Sequence, residues 1–182
     1  MKKILVASLL ALWTSVGVAA QWTPDPDRSR FGFVATYEGA GFKANFGQYK
    51  TSIQFDPSQL DTSAIEVTVN LVSVDSASAD RDEGMQDSEW FDVAKHPQAT
   101  FVSTGFSALG GDQFEVSGNL TIKDITRPIV IPFTWEATAN EARFNGETVV
   151  KRTDFKIGTG EWEKDETIGF DVKIVVALVL TR

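Results

Sequence analysis

Apolar and polar residues alternate along most of this chain. Phe31, Phe33, Ala35 and Tyr37 interleave with Gly32, Val34 and Thr36. Ile65, Val67, Val69 and Leu71 interleave with Glu66, Thr68 and Asn70, and Phe114, Val116, Gly118, Leu120 and Ile122 with Glu115, Ser117, Asn119 and Thr121. A period of two puts every apolar member on one face, the mark of a half-buried strand. The same reading gives strands over 42–49 and 51–55 with Gly47 as a bulge, over 99–106, over 129–135, over 142–151 with Gly146 as a bulge, and one long strand over 168–180. Turns are expected at 38–41, at Asp56-Pro57 and at Gly110-Gly111. Asn145-Gly146 is a common hairpin dipeptide, but a turn there would leave only a stub before it, so the turn is placed near Asn140. Residues 21–30, with Pro24 and Pro26, read as an extended lead-in, and 161–166 as a charged loop.

One stretch departs from this pattern. Asp80 is a good N-cap and Glu83 follows at capping-box spacing, with Asp82 and Glu83 in a first turn where the helix dipole favours negative charge. Pro97 ends any helix and makes His96 extended. A short helix is therefore predicted near residues 81–91. About eight strands joined as hairpins, one helix and no β-α-β alternation predict an all-β, antiparallel up-and-down barrel, with a two-sheet sandwich as the alternative. An eight-stranded barrel has room inside for packed side chains or for one small ligand. The thirteen phenylalanines mostly share a strand face with aliphatic residues, and the pattern fits a filled core and a lined cavity equally.

Residues 1–20 carry two lysines, an apolar run and small residues ending Val18-Ala19-Ala20. This is the make-up of a secretory signal peptide cleaved after Ala20; the apolar run is short for a membrane anchor, the alternative. The expected result is one domain over 21–182 in the bacterial periplasm, without stable membrane insertion. Net charge is −8, and both leader lysines are lost on cleavage; so acidic a surface disfavours nucleic acid and anionic lipid head groups. One His and no Cys leave little for catalysis or for a transition-metal site. Asp80, Asp82, Glu83, Asp87 and Glu89 do not follow a calcium-loop spacing and read as a solvated helix face. A small outer-membrane barrel needs a continuous apolar outer face, which Glu66, Thr68 and Asn70 and then Glu115, Ser117 and Asn119 interrupt.

Three blocks in order carry a resemblance. Arg81-Asp82, Trp90-Phe91-Asp92, His96-Pro97, Thr100-Phe101 and Ser103-Thr104 form the first. Residues 118–128, GNLTIKDITRP, form the second, and Lys151-Arg152-Thr153-Asp154-Phe155 the third. Together they resemble the YceI-like, polyisoprenoid-binding family of lipocalin-like proteins over nearly all of the chain after residue 21. The chain departs from the family pattern at Tyr37, where a His is common, and at Asn119, Asp124 and Lys156, where Asp, Gly and Gly are usual.

The resemblance implies a lipocalin-like barrel around an amphiphilic lipid with a long isoprenoid tail, polyprenyl or quinone-type. It implies a non-catalytic carrier with no cofactor beyond that lipid and, by analogy, a homodimer. Expected cavity residues are then Phe31, Phe33, Phe46 and Phe55 on the early strands, and Val67, Val69 and Leu71 on the next. Phe101, Phe114, Leu120, Ile122, Ile131 and Phe133 are expected from the middle strands, and Phe144, Phe170, Val172 and Ile174 from the last. Met85, Trp90 and Phe91 would cover one barrel end. Tyr37 and Arg81 are the head-group candidates, although a structural pairing of Arg81 with Asp82, Asp154 or another carboxylate is the favoured reading, and Arg152 is expected to pair internally with Asp154. His96 is expected to contact backbone carbonyls. The alternative function is a filled barrel acting as a protein-interaction or stress-related module without lipid.

Overall fold

The computed structural model describes residues 20–182. The leader read over residues 1–20 lies outside them but for Ala20. Eleven strand segments form one antiparallel sheet: β1 (Gln21–Pro24), β2 (Arg30–Tyr37), β3 (Ala40–Phe46), β4 (Tyr49–Gln54), β5 (Ala64–Asn70), β6 (Val74–Asp75), β7 (Gln98–Gly110), β8 (Gln113–Ile122), β9 (Ile125–Ala137), β10 (Glu141–Lys151) and β11 (Asp171–Thr181). Among the described residues one α-helix, α1 (Ala79–Gln86), lies between β6 and β7.

The registers gather these segments into eight consecutive antiparallel passes. β1 pairs with β4 at Trp22↔Ile53, β2 with β3 at Phe33↔Ala44, and β3 with β6 at Phe46↔Val74. The first three passes (β1/β2, β3/β4 and β5/β6) are therefore each broken once. β7 to β11 make one pass each, and Thr23↔Thr181 closes the first pass onto the last. The result is the closed up-and-down barrel expected from the alternation.

Several details differ from expectation. The lead-in contains β1, because closing the barrel needs a partner for both β4 and the end of β11. Gly47 is not a bulge but the break between β3 and β4, where its N–H donates to Ser73 O at 3.0 Å. Gly146 is not a bulge either: the β10–β11 register runs unbroken from Glu141↔Thr181 to Lys151↔Asp171. Glycine is needed there because a Cβ would press to 3.0 Å from the Phe144 ring and 3.1 Å from Ile131 and Phe133. The irregularities fall in β7, at Ser103/Gly105 and Ala108/Gly110. β11 starts three residues later than the predicted strand, and Ile168 makes only an isolated bridge to Tyr37.

The helix is shorter and starts earlier than predicted. Ser78 is its N-cap residue, without a side-chain cap, and it ends at Gln86. No capping box forms on Asp80. Asp82 instead turns back and accepts from the Ser76 N–H at 2.9 Å and from the Ser76 hydroxyl, tying α1 to the preceding loop.

At the end away from α1 the barrel is filled. Phe55 is 1% exposed and lies 4.7 Å from Trp135 and 5.4 Å from each of Phe106, Phe114 and Phe133 between ring centroids. Phe133 stacks on Phe144 at 4.4 Å. Trp22 meets Trp135 edge-on at 5.3 Å and donates from Nε1 to Phe55 O at 3.0 Å. Offset and edge-to-face ring pairs of this kind add to simple area burial.

Candidate ligand cavity

Towards α1 the interior is hollow. A cavity of about 530 Å³ lies between β2, β3, β8 and β11 and beneath α1. Its walls follow the alternation: Phe31, Phe33 and Ala35 from β2, Phe42 and Phe46 from β3, Leu120 and Ile122 from β8, and Val172, Ile174 and Val176 from β11. Val69, Leu71 and Ala99 complete the wall, and Met85, Trp90 and Phe91 cover it from α1 and the turns after it. The polar groups reached are few, namely Tyr37, Ser78, Asp80, Arg81 and Arg152. An apolar hollow with a few polar groups at one end suits an amphiphile whose tail is buried and whose head stays at the mouth.

Of the residues expected from sequence, Phe31, Phe33, Phe46, Val69, Leu71, Met85, Trp90, Phe91, Leu120, Ile122, Val172 and Ile174 come together around this space, with Tyr37 and Arg81 at its polar end. Phe55, Phe114, Phe133 and Phe144 do not line it; they form the aromatic block of the filled end. Phe101, Ile131 and Val67 pack with that core. Phe170 lies outside the lining, with its ring 5.4 Å from the Arg152 guanidinium. Alternation gave the inward face of each strand correctly, but it carries no information on height along the barrel axis. Val176 continues the Val172, Ile174 alternation and could have been included. Phe155, Ile157 and Trp162 come from irregular backbone and had no periodic signal.

Two arginines stand differently from expectation. Arg81 pairs with no carboxylate; it donates from Nε to Ser76 Oγ at 2.9 Å and from Nη2 to Ser76 O at 2.7 Å, and its guanidinium lies 4.5 Å from the Phe42 ring centre. Arg152 does not pair with Asp154. It is 2% exposed and donates to six backbone carbonyls, those of Ile157, Gly158, Trp162, Lys164, Ile168 and Gly169. Burial holds its guanidinium below the ordinary arginine value, with Asp165 acting in the opposite direction. The five donors of a guanidinium in a fixed fork suit such a carbonyl cage; an ammonium has three. Arg152 therefore folds the 157–169 loop over the barrel mouth, and its bonds are spent on that loop.

The same loop is fixed to the turn after α1. Gly158 N–H and Thr159 N–H donate to Glu89 O at 2.8 and 3.0 Å, and Trp162 Nε1 donates to Glu89 Oε2 at 3.1 Å. Trp162 lies 5.6 Å from Trp90, and both line the cavity. His96 does not contact carbonyls through its ring; Nδ1 lies 3.1 Å from Asp124 Oδ2. Among the described residues no cluster of His, Cys, Asp and Glu could hold a metal ion, and no helix is long and apolar enough to cross a membrane.

The family model for the YceI-like domain matches residues 22–180. The chain belongs to the YceI-like family. A UPF0312 protein of Azotobacter vinelandii is 36% identical over 118 residues, which span 62% of this chain and 62% of that relative. Protein YceI of Salmonella arizonae is 30% identical over 171 residues, 87% of this chain and 89% of that one. Among solved structures, BcnA of Burkholderia cenocepacia superposes with a TM-score of 0.83 at 28% identity, covering 86% of this chain and 99% of that one. A polyisoprenoid binding domain from Saccharophagus degradans superposes with a TM-score of 0.70 at 17% identity, covering 88% and 97%. The last likeness is one of fold. In this YceI-like chain, Arg81 and Arg152, which helped carry the resemblance, serve local architecture: one ties α1 to its loop and the other builds the mouth.

Proposed function

We infer that this protein is a periplasmic carrier that holds the tail of an isoprenoid lipid, polyprenyl or quinone-type, inside its barrel and performs no chemistry on it. The observation that carries this reading is the cavity of about 530 Å³ beneath α1, apolar on its walls and polar only at one end. Burying a hydrocarbon chain there gives roughly 25 cal/mol per Å² of apolar surface removed from water. The fold likeness to a polyisoprenoid binding domain supports the same class of ligand. The periplasmic assignment is supported by the signal-like residues 1–20.

The test is to purify the full chain from the periplasm without detergent, then run native mass spectrometry beside an organic extract. The expected result is a protein beginning at Gln21 with a stoichiometric adduct whose mass matches a prenyl lipid. A bare protein that also refuses every member of a prenyl-lipid panel would overturn the carrier function and favour a protein-interaction role. Ile174 offers a sharper check, since it faces the cavity without belonging to the filled end. Ile174→Asp places a carboxylate against apolar walls, where burying it under a tail is costly. Uptake is expected to fall at least about a hundredfold, a change of near 3 kcal/mol, while the near-ultraviolet dichroism of the aromatic block is retained.

A further inference from the structure

We propose that the seating of aromatic rings on two inward glycines builds a floor that limits the length of isoprenoid tail this cavity accepts, with Phe101 as the residue that sets the limit. The proposal rests on the carrier reading and adds to it a measurable chain length.

The cavity ends abruptly. On β7 and β8 its lowest lining residues are Ala99 and Leu120. The next inward positions below them are Phe101 and Gly118. Phe101 pairs across the sheet with both Val67 and Leu120, and its ring lies so closely over Gly118 that a Cβ there would collide with it. On β11 the last lining residue is Val176, which pairs with Gly146. Gly146 in turn admits the Phe144 ring and the Phe133 side chain. Both descents into the barrel therefore stop at a ring that only a glycine could seat, and below them the block around Phe55 fills the interior. A floor of close-packed rings yields little to a tail end, because overpacking a filled core is itself destabilising.

The floor sets the length. A tail whose end reaches this floor has no deeper apolar space to enter. Further units of a longer tail would leave through the mouth into water and add no burial.

The experiment uses the delipidated protein and free all-trans prenols of three to eight units delivered from cyclodextrin. Binding is read from the emission of Trp90 and Trp162, which line the cavity. Affinity is expected to rise about tenfold or more per unit until the tail reaches the floor, and then to stay flat. Phe101→Ala removes a ring of about one unit's volume and is expected to move the plateau out by about one unit. Ala99→Leu, which fills space just above the floor, is expected to move it in by a similar step, and keeps the proposal testable should Phe101→Ala fail to fold. Affinity that climbs across the whole series with no plateau in the unaltered protein, or a plateau that neither variant moves, would overturn the length limit and leave the carrier function standing. Failure of every prenol to bind would overturn both.

Discussion

Arg152→Ala is expected to release the 157–169 loop and destabilise that part of the fold by about 3–5 kcal/mol, because each carbonyl acceptor left buried and unsatisfied costs about 1–3 kcal/mol until the loop opens to water. The guanidinium is the common donor for six carbonyls spread over that loop. Hydrogen exchange at three amides reads the effect directly: Gly158 and Thr159, which donate to Glu89 O, and Gly169, which donates to Thr36 O. All three should lose most of their protection while amides in β8 and β9 keep theirs. Arg152→Lys should recover only part of the loss, since an ammonium has three donors and no planar fork. Unchanged exchange in Arg152→Ala would show that the loop is held by its contacts to Glu89 and not by the carbonyl cage. The position of Arg152 between Trp90 at 5.7 Å and Phe170 at 5.4 Å adds cation–π contact to the same cage.

The second large effect belongs to the filled end. Phe55→Ala removes a ring that touches four other aromatic side chains and is 1% exposed. A core Phe-to-Ala change costs about 3–5 kcal/mol, and the rigid neighbours here give the site little means to collapse. Urea unfolding should show the midpoint falling by that energy divided by the slope, with the slope itself unchanged. Phe33→Ala, on the cavity wall, should cost clearly less, because Phe33 is only partly buried and already borders empty space. Equal losses at the two positions would mean that the hollow and filled halves are not energetically distinct.

Much of this was legible in the alternation. The strand count, the antiparallel connections, the turn near Asn140 and the existence of one helix all follow from local pattern and turn chemistry. The inward faces followed too, and that is why twelve of the apolar cavity candidates meet around the hollow. What local pattern could not give was position along the barrel axis. Phe33 and Phe133 have the same period-two context, yet one borders the cavity and the other stacks on Phe144. That difference is set by strand stagger, which depends on pairings such as Phe33↔Ile174 between distant segments. The charged residues were misread for a related reason. A carboxylate near in sequence was the natural partner for Arg152, but a buried fork can be satisfied by carbonyls, and carbonyls leave no trace in composition. Glycine was misread at 146 because the same residue marks bulges and close approaches alike.

The seam between β1 and β11 has a consequence for how the barrel comes to exist in time. Thr23 and Thr181 lie on facing strands 158 residues apart in sequence. Neighbouring hairpins such as β8–β9 can form from local chain alone, with Lys123 and Asp124 at positive φ completing a two-residue turn. The seam cannot: its loop-closure entropy is the largest in the molecule and must be met before any of its contacts reward it. Closure is therefore expected to be the last and slowest step, reached only when β11 has joined the sheet. Until then the chain is an open, curling meander whose apolar face is still wet. A truncation ending before β11 should stay in that state, binding hydrophobic dyes and never reaching the cooperative melt of the closed barrel.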